Sequence, residues 1–304
     1  MKKLKELLQE RNFIFLMAIA GGALTDIPTR WTEPLILPVL GVIMTLSVLN
    51  VPNHVFHSPR TMILPAGTGI FMSYVLLGGV VIGLSFLLIP DPAPRAGFIL
   101  IAASPPAIAI IPFTSMFRGD ETFTLFGIIG AYLIALPVLP LTAYLFLDIP
   151  DVNPLDLAVA AGTLVLLPVM ISRFLIWRGW HKPIMPVKGI VTDWSFFLVI
   201  YTIIGLNRAL ILEHPGQILP VALVAFLTIP VLDRLIETAA RMLHAGRKII
   251  SPLILLGTLK NYGLAGGIAV SFFSRESALP AAVCAIFMVL NIIWMNNRHK
   301  RKAL

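Results

Sequence analysis

The sequence has little charge and almost no cysteine. Only 12% of its 304 residues are Asp, Glu, Lys or Arg, whereas 58% are hydrophobic and the mean hydropathy is +0.91. A soluble domain of this length needs a larger polar surface than these residues provide. The single cysteine, Cys284, excludes an intramolecular disulfide and a cysteine-rich metal site. No glycine-rich nucleotide-binding loop is present either. The composition predicts an integral membrane protein, and we expect no cofactor.

Ten stretches have no Asp, Glu, Lys or Arg, except for Lys260 within the ninth, and are candidate membrane spans. They are Asn12–Thr25, Pro34–Asn53, Thr61–Pro90, Ala96–Phe117, Thr122–Leu147, Leu157–Ser172, Trp194–Asn207, His214–Leu232, Ile249–Ser274 and Ser277–Asn297. Charged residues are costly in hydrocarbon, so such stretches favour transmembrane helices. The first and the seventh are short for a crossing of about 20 residues. We therefore expect an all-α membrane protein with ten transmembrane helices.

The basic residues predict the orientation of these spans. An even number of spans places both termini on the same side, and 18 of the 23 Lys and Arg residues fall there, against four on the other side. The positive-inside rule then places both termini in the cytoplasm. We expect a multi-pass protein of the plasma (inner) membrane that contacts lipid and no nucleic acid. A cleaved signal peptide is the alternative for the N-terminus, although Glu6 and Glu10 are unusual in one.

The polar stretch Leu147–Asp156 divides the ten spans into five and five. Because five crossings reverse the direction of the chain, related halves would have opposite orientations, as in many secondary transporters. Without gaps, Leu100–Phe117 and Leu256–Phe273 share four identities in eighteen positions, and each is the fourth span of its half. We expect an inverted repeat with residues 1–150 as the first half and residues 151–304 as the second.

Both of these fourth spans contain residues that interrupt helices. Ser104-Pro105-Pro106 is followed by Pro112, and proline removes an N–H donor and crowds the preceding turn. The second span runs from Gly257 to Gly267 with Lys260 and Asn261 near its middle. Interrupted helices at matching positions of two halves indicate a transport site near the membrane midplane. The N-termini of the half-helices would favour a carboxylate there.

Lys260 is the only basic residue deep inside a candidate span. A charge at that depth needs a partner or a water-filled cavity. Lys260 could bind an anionic substrate, or its ammonium could stand where a coupling cation sits in other transporters. Alternatively, it could be a structural cation that joins the carbonyls of the two interrupted helices. Asp233, Glu237 and Arg241 recur every four residues near the end of the eighth span, and we expect a solvated, salt-bridged helix end rather than a proton relay.

The two interrupted segments resemble the bile acid:sodium symporter family. Ser104-Pro105-Pro106, followed by Phe117-Arg118-Gly119-Asp120, resembles the fourth span of that family, and Asn261-Tyr262-Gly263-Leu264-Ala265 is similar to its Asn-Ser-Gly-Leu-Ala in the ninth span. The resemblance implies a panel domain and a core domain, each built from both halves. It also implies that the fourth and ninth helices cross where they are interrupted.

The sequence departs from this family at the positions that imply sodium binding. Where sodium-dependent members have a Ser-Asn pair, this chain has Ile110-Ile111, and where they have a Glu…Gln pair, it has Leu256 and Lys260. Apolar side chains offer no oxygen ligand to a hard cation. A lysine ammonium would repel Na⁺ and could replace its charge. The expected transporter is therefore sodium-independent, and Lys260 is a candidate titrating group.

The sequence predicts a secondary transporter that moves a small organic anion by alternating access, either coupled to protons or facilitative. The residues expected to line the site are Lys260, Asn261, Thr258, Tyr262, Ser104, Pro105, Pro106 and Thr114. An auxin-efflux-carrier-like transporter and a sodium-coupled symporter with atypical ligands are the alternatives. A channel is also possible. An intramembrane enzyme is disfavoured because no candidate span holds a pair of catalytic side chains. The sequence leaves the oligomeric state open.

Overall fold

A computed structural model describes residues 10–25, 29–49, 59–107, 110–147, 154–213 and 215–303. These residues are almost entirely helical and include no β-strand. The principal helices are α1 (Arg11–Leu24), α2 (Ile36–Val48), α3 (Pro59–Ile70, Phe71–Gly78 and Gly79–Leu88 in succession), α4 (Pro92–Ala103), α5 (Ile110–Met116), α6 (Glu121–Phe146), α7 (Pro154–Trp177), α8 (Lys188–Leu206), α9 (Pro215–Phe226, Leu227–Val231 and Leu232–Met242 in succession), α10 (Arg247–Leu256), α11 (Tyr262–Phe272) and α12 (Arg275–Ala303). Short helical segments are Thr29–Thr32, Glu33–Leu35, His181–Ile184 and Arg208–Glu213.

Several parts of the sequence-based predictions lie outside the described residues. They are the basic N-terminal residues 1–9, residues 50–53 at the end of the second candidate span, residues 108–109 of the first interrupted segment, residues 148–153 of the polar stretch between the two halves, and residue 214 at the start of the eighth candidate span.

Several helices have the length and composition of membrane spans. Within the described part of the chain, five are long and apolar enough to cross a membrane: Met62–Leu88, Glu121–Phe146, Lys188–Leu206, Ile218–Met242 and Arg275–Arg298. Five shorter apolar helices are Phe13–Leu24, Glu33–Leu46, Pro92–Ala103, Leu167–Trp177 and Tyr262–Phe272. The prediction of an all-α, membrane-embedded protein is therefore confirmed.

The predicted start of the seventh span was wrong. Helix α8 begins at Lys188, not at Trp194, and has 19 residues. Asp193 lies inside this helix and is only 6% exposed. A charged residue is tolerated inside an apolar helix when it faces protein instead of lipid. Absence of charge was therefore a poor criterion for the start of this helix, and α8 is long enough for a full crossing.

The buried apolar side chains form two hydrophobic clusters. The larger one joins α3, α4, α5, α6, α9, α10, α11 and α12. The smaller one joins α1, α2 and α8 to the faces of α4, α6, α11 and α12 that point toward them. Small residues allow the helices of the two clusters to approach closely. For example, a Cβ on Gly266 of α11 would lie 2.7 Å from Cδ1 of Ile203 on α8. Helices α4, α6, α11 and α12 thus contribute to both clusters.

A group of charged side chains joins the end of α9 to α12. Asp233 and Glu237 accept hydrogen bonds from Arg298, at 3.3 Å from Nη2 and 2.6 Å from Nη1 respectively. Glu237 also pairs with Arg241, 2.8 Å from its Nη2. The expected salt bridges are therefore confirmed, but the expected solvation was wrong, since Asp233 is 0% and Glu237 8% exposed. Helical spacing did not reveal that α12 covers this face.

Candidate functional site

The two interrupted segments meet inside the protein. After α4 ends, residues 104–107 are not helical, and after α10 ends, residues 257–261 are not α-helical. Pro106 and Lys260 form an antiparallel bridge, and the backbone N–H of Asn261 donates to the carbonyl of Pro105 at 2.9 Å. Prolines have no N–H, so the freed carbonyls need donors from elsewhere in the fold. Each chain interruption supplies backbone partners for the other, and we call this junction the crossover.

The side chain of Lys260 crosses from one interrupted helix to the other. Its Nζ donates to the carbonyl of Ala102 at 2.9 Å and to that of Ser104 at 2.8 Å, and the residue is 1% exposed. These carbonyls lie at the C-terminus of α4, the negative end of its dipole, which favours a cation. The arrangement matches the structural alternative considered for Lys260, because the ammonium joins the two interrupted helices.

Tyr74 completes the surroundings of the ammonium. The Nζ atom of Lys260 lies 4.2 Å from the centroid of the Tyr74 ring, a distance at which a ring face attracts a cation. Tyr74 belongs to the π-helical segment Phe71–Gly78 of α3, and its hydroxyl donates to the carbonyl of Ala131 at 2.9 Å. A π-helical segment changes the direction of the side chains that it carries, and such segments are frequent at functional sites. Sequence analysis missed Tyr74, since no spacing distinguishes it from other residues of an apolar span.

Asn261 begins the second half of its interrupted helix. Its Oδ1 accepts a hydrogen bond from the backbone N–H of Leu264 at 3.0 Å and so caps the N-terminus of α11. Its Nδ2 has Sδ of Met44 at 3.6 Å, and a thioether is only a weak acceptor. The same side chain also interacts with the hydroxyl of Tyr132.

A cavity of about 650 Å³ lies beside the crossover. One wall comes from α1, α2 and α8 and includes Phe15, Met44, Phe196 and Ile200. The other wall comes from helices of the larger cluster and from the crossover, and includes Phe113, Lys260, Asn261, Tyr262 and Met288. Most of the lining is apolar or aromatic, with a few polar groups, as is typical of binding sites for small molecules.

The cavity reaches the surface at one end of the molecule. Ser115, Met116 and Glu121, which line it near the end of α5 and the start of α6, are exposed. Lys188 lines the opposite wall at the start of α8 and is partly buried. A second basic side chain thus belongs to this cavity, in addition to Lys260. Sequence analysis missed Lys188, because a lysine at the end of a span is usually an anchor at the membrane surface.

The predicted site residues divide into two groups. Lys260, Asn261 and Tyr262 are among the residues that line the cavity, although the hydroxyl of Tyr262 donates to the carbonyl of Thr258 at 3.1 Å. The remaining five, Thr258, Ser104, Pro105, Pro106 and Thr114, do not line it in the described part of the chain.

These five residues serve the local structure of the crossover. The hydroxyls of Ser104, Thr114 and Thr258 each donate to the carbonyl four residues earlier, at 2.8, 2.9 and 2.7 Å. Each of the three is 0% exposed. Pro105 and Pro106 contribute backbone to the pairing with the second interrupted segment. Their contacts are thus with backbone and, for Thr114, also with the hydroxyl of Thr124 at 3.1 Å.

The donor set at the crossover does not suit a sodium ion. The carbonyls of Ala102 and Ser104 are the groups that a hard cation would use, and the ammonium of Lys260 already binds both. Ile110 and Leu256 are both 0% exposed, and their side chains offer no oxygen.

A comparison of the sequence with models of protein families and with characterised proteins found no match.

Proposed function

We propose that the protein is a secondary transporter of small organic anions that works by alternating access without sodium. The observation that carries the proposal is the crossover, where the ammonium of Lys260 binds the C-terminal carbonyls of an interrupted helix beside a cavity. In transporters with discontinuous helices, such carbonyls coordinate the coupling ion. An ammonium at these carbonyls supplies a charge of the same sign, so no sodium ion is required.

Several features of the fold support a ten-span, five-plus-five arrangement. The five long and five shorter apolar helices correspond in order to the ten predicted spans, with α4–α5 and α10–α11 each forming one interrupted span. The third and eighth spans, which occupy equivalent positions in the two halves, both contain a π-helical segment. In this arrangement the smaller cluster is the panel domain and the larger one the core domain, each with helices from both halves.

The composition of the cavity supports an organic anion as the substrate. Lys188 and Lys260 provide two positive charges against the single carboxylate of Glu121, and the aromatic and aliphatic lining suits an apolar body. We assign direct contact with the anion to Lys188, which lines the cavity near its open end. Lys260 contributes its charge to the potential of the cavity.

The orientation predicted from the basic residues indicates the side of the membrane to which the cavity opens. The ends of α5, α6 and α8 that border the open end of the cavity are cytoplasmic in that orientation. The cavity would then be open to the cytoplasm, with the crossover at its closed end. The protein would be an inner-membrane carrier with both termini in the cytoplasm.

Uptake into proteoliposomes tests the coupling. The purified protein is reconstituted, and the uptake of labelled aliphatic and aromatic monocarboxylates is measured in Na⁺ and in K⁺ buffers, with and without a pH gradient. We expect saturable uptake at equal rates in the two buffers. A rate that requires Na⁺ would contradict the replacement of the coupling ion by Lys260, and ionic conductance without saturation would indicate a channel.

A second experiment separates the roles of the two lysines. We expect Lys188→Gln to raise the KM for the transported anion about tenfold or more, the equivalent of one charge-assisted hydrogen bond of about 1.5–3 kcal/mol. Lys182→Gln, at an exposed lysine of the same end, is the matched control and leaves KM unchanged. Equal KM values for Lys188→Gln and the wild type would refute the contact with Lys188.

A further inference from the structure

The charged group between α9 and α12 has more positive than negative members. Arg234, Arg241 and Arg298 all bind Glu237, with shortest distances of 3.1, 2.8 and 2.6 Å. Asp233 is the second carboxylate of the group, and Asn291 Nδ2 donates to it at 2.9 Å. Among the ion pairs of the described residues, three guanidinium groups against two carboxylates leave one positive charge.

The excess charge lies at the surface of this group. The side chains of the two carboxylates are 0% and 11% exposed and that of Arg298 is 15% exposed, whereas those of Arg234 and Arg241 are 38% and 55% exposed. A guanidinium has five N–H donors in a planar fork, and Glu237 accepts only one bond from Arg234 and two from Arg241. Donors therefore remain on both exposed arginines for an anion from outside the protein.

Trp294 fixes two of these guanidinium groups in position. The guanidinium carbon of Arg234 lies 3.8 Å from the centroid of its rings and that of Arg298 lies 4.4 Å away. The tryptophan is 40% exposed, and indole rings are enriched at the level of lipid headgroups. A guanidinium already held by an aromatic ring and a carboxylate loses little freedom when it binds a second anion.

Apolar side chains adjoin the arginines on the outer faces of both helices. Leu235, Ala239 and Met242 follow one another at helical spacing on α9 and are exposed, Leu235 by 59% and Met242 by 74%. Leu290 lies one turn before Trp294 on α12 and is 51% exposed. Such a surface next to exposed guanidinium groups corresponds to the boundary between acyl chains and headgroups.

We propose that Arg234, Arg241 and Trp294 form a binding site for the phosphate group of an anionic phospholipid. The two guanidinium forks bind the phosphate oxygens, which they match in geometry. The exposed apolar residues of α9 and α12 contact the acyl chains. Basic groups between membrane helices bind anionic headgroups in this way, and the acyl-chain contacts distinguish a phospholipid from a soluble phosphate.

Lipid-dependent stability of the full-length protein in detergent micelles tests the site. Thermal unfolding is followed with phosphatidylglycerol or phosphatidylcholine added at equal mole fractions. We expect phosphatidylglycerol to raise the unfolding temperature more than phosphatidylcholine does. Arg234→Gln/Arg241→Gln should lose at least half of that difference, whereas Arg247→Gln/Lys248→Gln, which removes two exposed charges from the same end of the molecule, should retain it. Because only the difference between lipids counts, a lower basal stability of either variant does not affect the result.

Native mass spectrometry of the wild type and of Arg241→Gln provides a second measurement. It uses a single variant and so does not depend on correct folding of the double variant. We expect the wild type to retain phosphatidylglycerol in preference to phosphatidylcholine, and the single variant to retain less of it. The proposal is overturned if the wild type shows no such preference or if both double variants lose the stabilisation equally. It is also overturned if glycerol phosphate stabilises the protein as well as the lipid does, since a soluble anion would then suffice.

Discussion

Lys260 and Arg298 both link helices distant in sequence, but Lys260 is 1% exposed and the side chain of Arg298 is 15% exposed, and their partners differ. Lys260 binds two backbone carbonyls and lies over the ring of Tyr74. Arg298 binds the carboxylates of Asp233 and Glu237 and lies over the rings of Trp294. In the first case the partners are neutral dipoles, and in the second they carry opposite charge.

This difference determines how far the two charges act. Carbonyls and aromatic rings stabilise an ammonium without cancelling its charge, so in the proposed function Lys260 would contribute a positive potential to the adjacent cavity. The charge of Arg298 is cancelled by its carboxylates, and its effect is confined to holding α9 against α12. A cation with neutral partners is therefore suited to a binding site, and one with ionised partners to a permanent helix contact. Mutations at both centres can test this distinction.

Arg298→Met should have the largest effect on stability. It leaves Asp233 and Glu237 without their shared partner on α12, and breaking a buried ion pair costs about 3–5 kcal/mol. The free energy of unfolding is measured by denaturant titration in detergent micelles. Arg178→Met is the matched control, since Arg178 also lies over a tryptophan, at 4.9 Å from Trp177, but is exposed. Adding Asp233→Asn and Glu237→Gln should recover most of the loss, and failure to recover it would show that charge compensation is not the role of Arg298.

Lys260→Met should cost less stability but abolish transport. The change leaves the carbonyls of Ala102 and Ser104 without a donor, at about 1–3 kcal/mol for each, and this cost is partly offset because an ammonium no longer needs to be buried. We expect a net loss of about 1–3 kcal/mol in the same denaturant titration. A variant that transports anions at the rate of the wild type would contradict a functional role for the charge.

Tyr74→Leu tests the neutral partners of Lys260. Loss of the ring face should cost about 0.5–2 kcal/mol beyond the cost of Tyr74→Phe, which keeps the ring and removes only the hydroxyl bond to Ala131. Unfolding titrations of the two variants, with and without Lys260→Met, measure the coupling energy. A coupling energy near zero would show that the ring packs beside the ammonium without attracting it.

Arg241→Gln should have the smallest effect on stability. Its side chain is 55% exposed, and exposed ion pairs contribute about 0.2–1 kcal/mol. Raising the salt concentration should reduce the difference between this variant and the wild type, because exposed charges are screened. A loss as large as that of Arg298→Met would show that the network depends on all its members equally.

The interrupted helices could be predicted from the sequence, but their partners could not. Prolines and glycines act on the local backbone, so Ser104-Pro105-Pro106 and the stretch from Gly257 were recognisable as breaks. The targets of the Lys260 ammonium, the carbonyls of residues 102 and 104, are more than 150 positions away and depend on how the two segments meet. Every residue type also has the same backbone carbonyl, so the sequence does not indicate which carbonyls bind the ammonium.

The residues that line the cavity could likewise be predicted only in part from the sequence. Asn261 was identified because a polar side chain in the middle of an apolar span is unusual. Lys188 looked like an ordinary anchor at a helix end, and only the packing of α8 against the larger cluster makes it part of a cavity wall. The burial of Asp233 likewise depends on α12, which lies about 60 positions further along the chain.

The backbone pairing at the crossover has a mechanical consequence. Separating residue 261 from residue 105 would take the buried amide of one and the carbonyl of the other away from their partners, which is costly inside a protein. The two chain breaks are thus joined into one unit. In the proposed mechanism, movement would therefore take place at the apolar contact between the two clusters, where one set of methyl groups can be exchanged for another at little cost in energy.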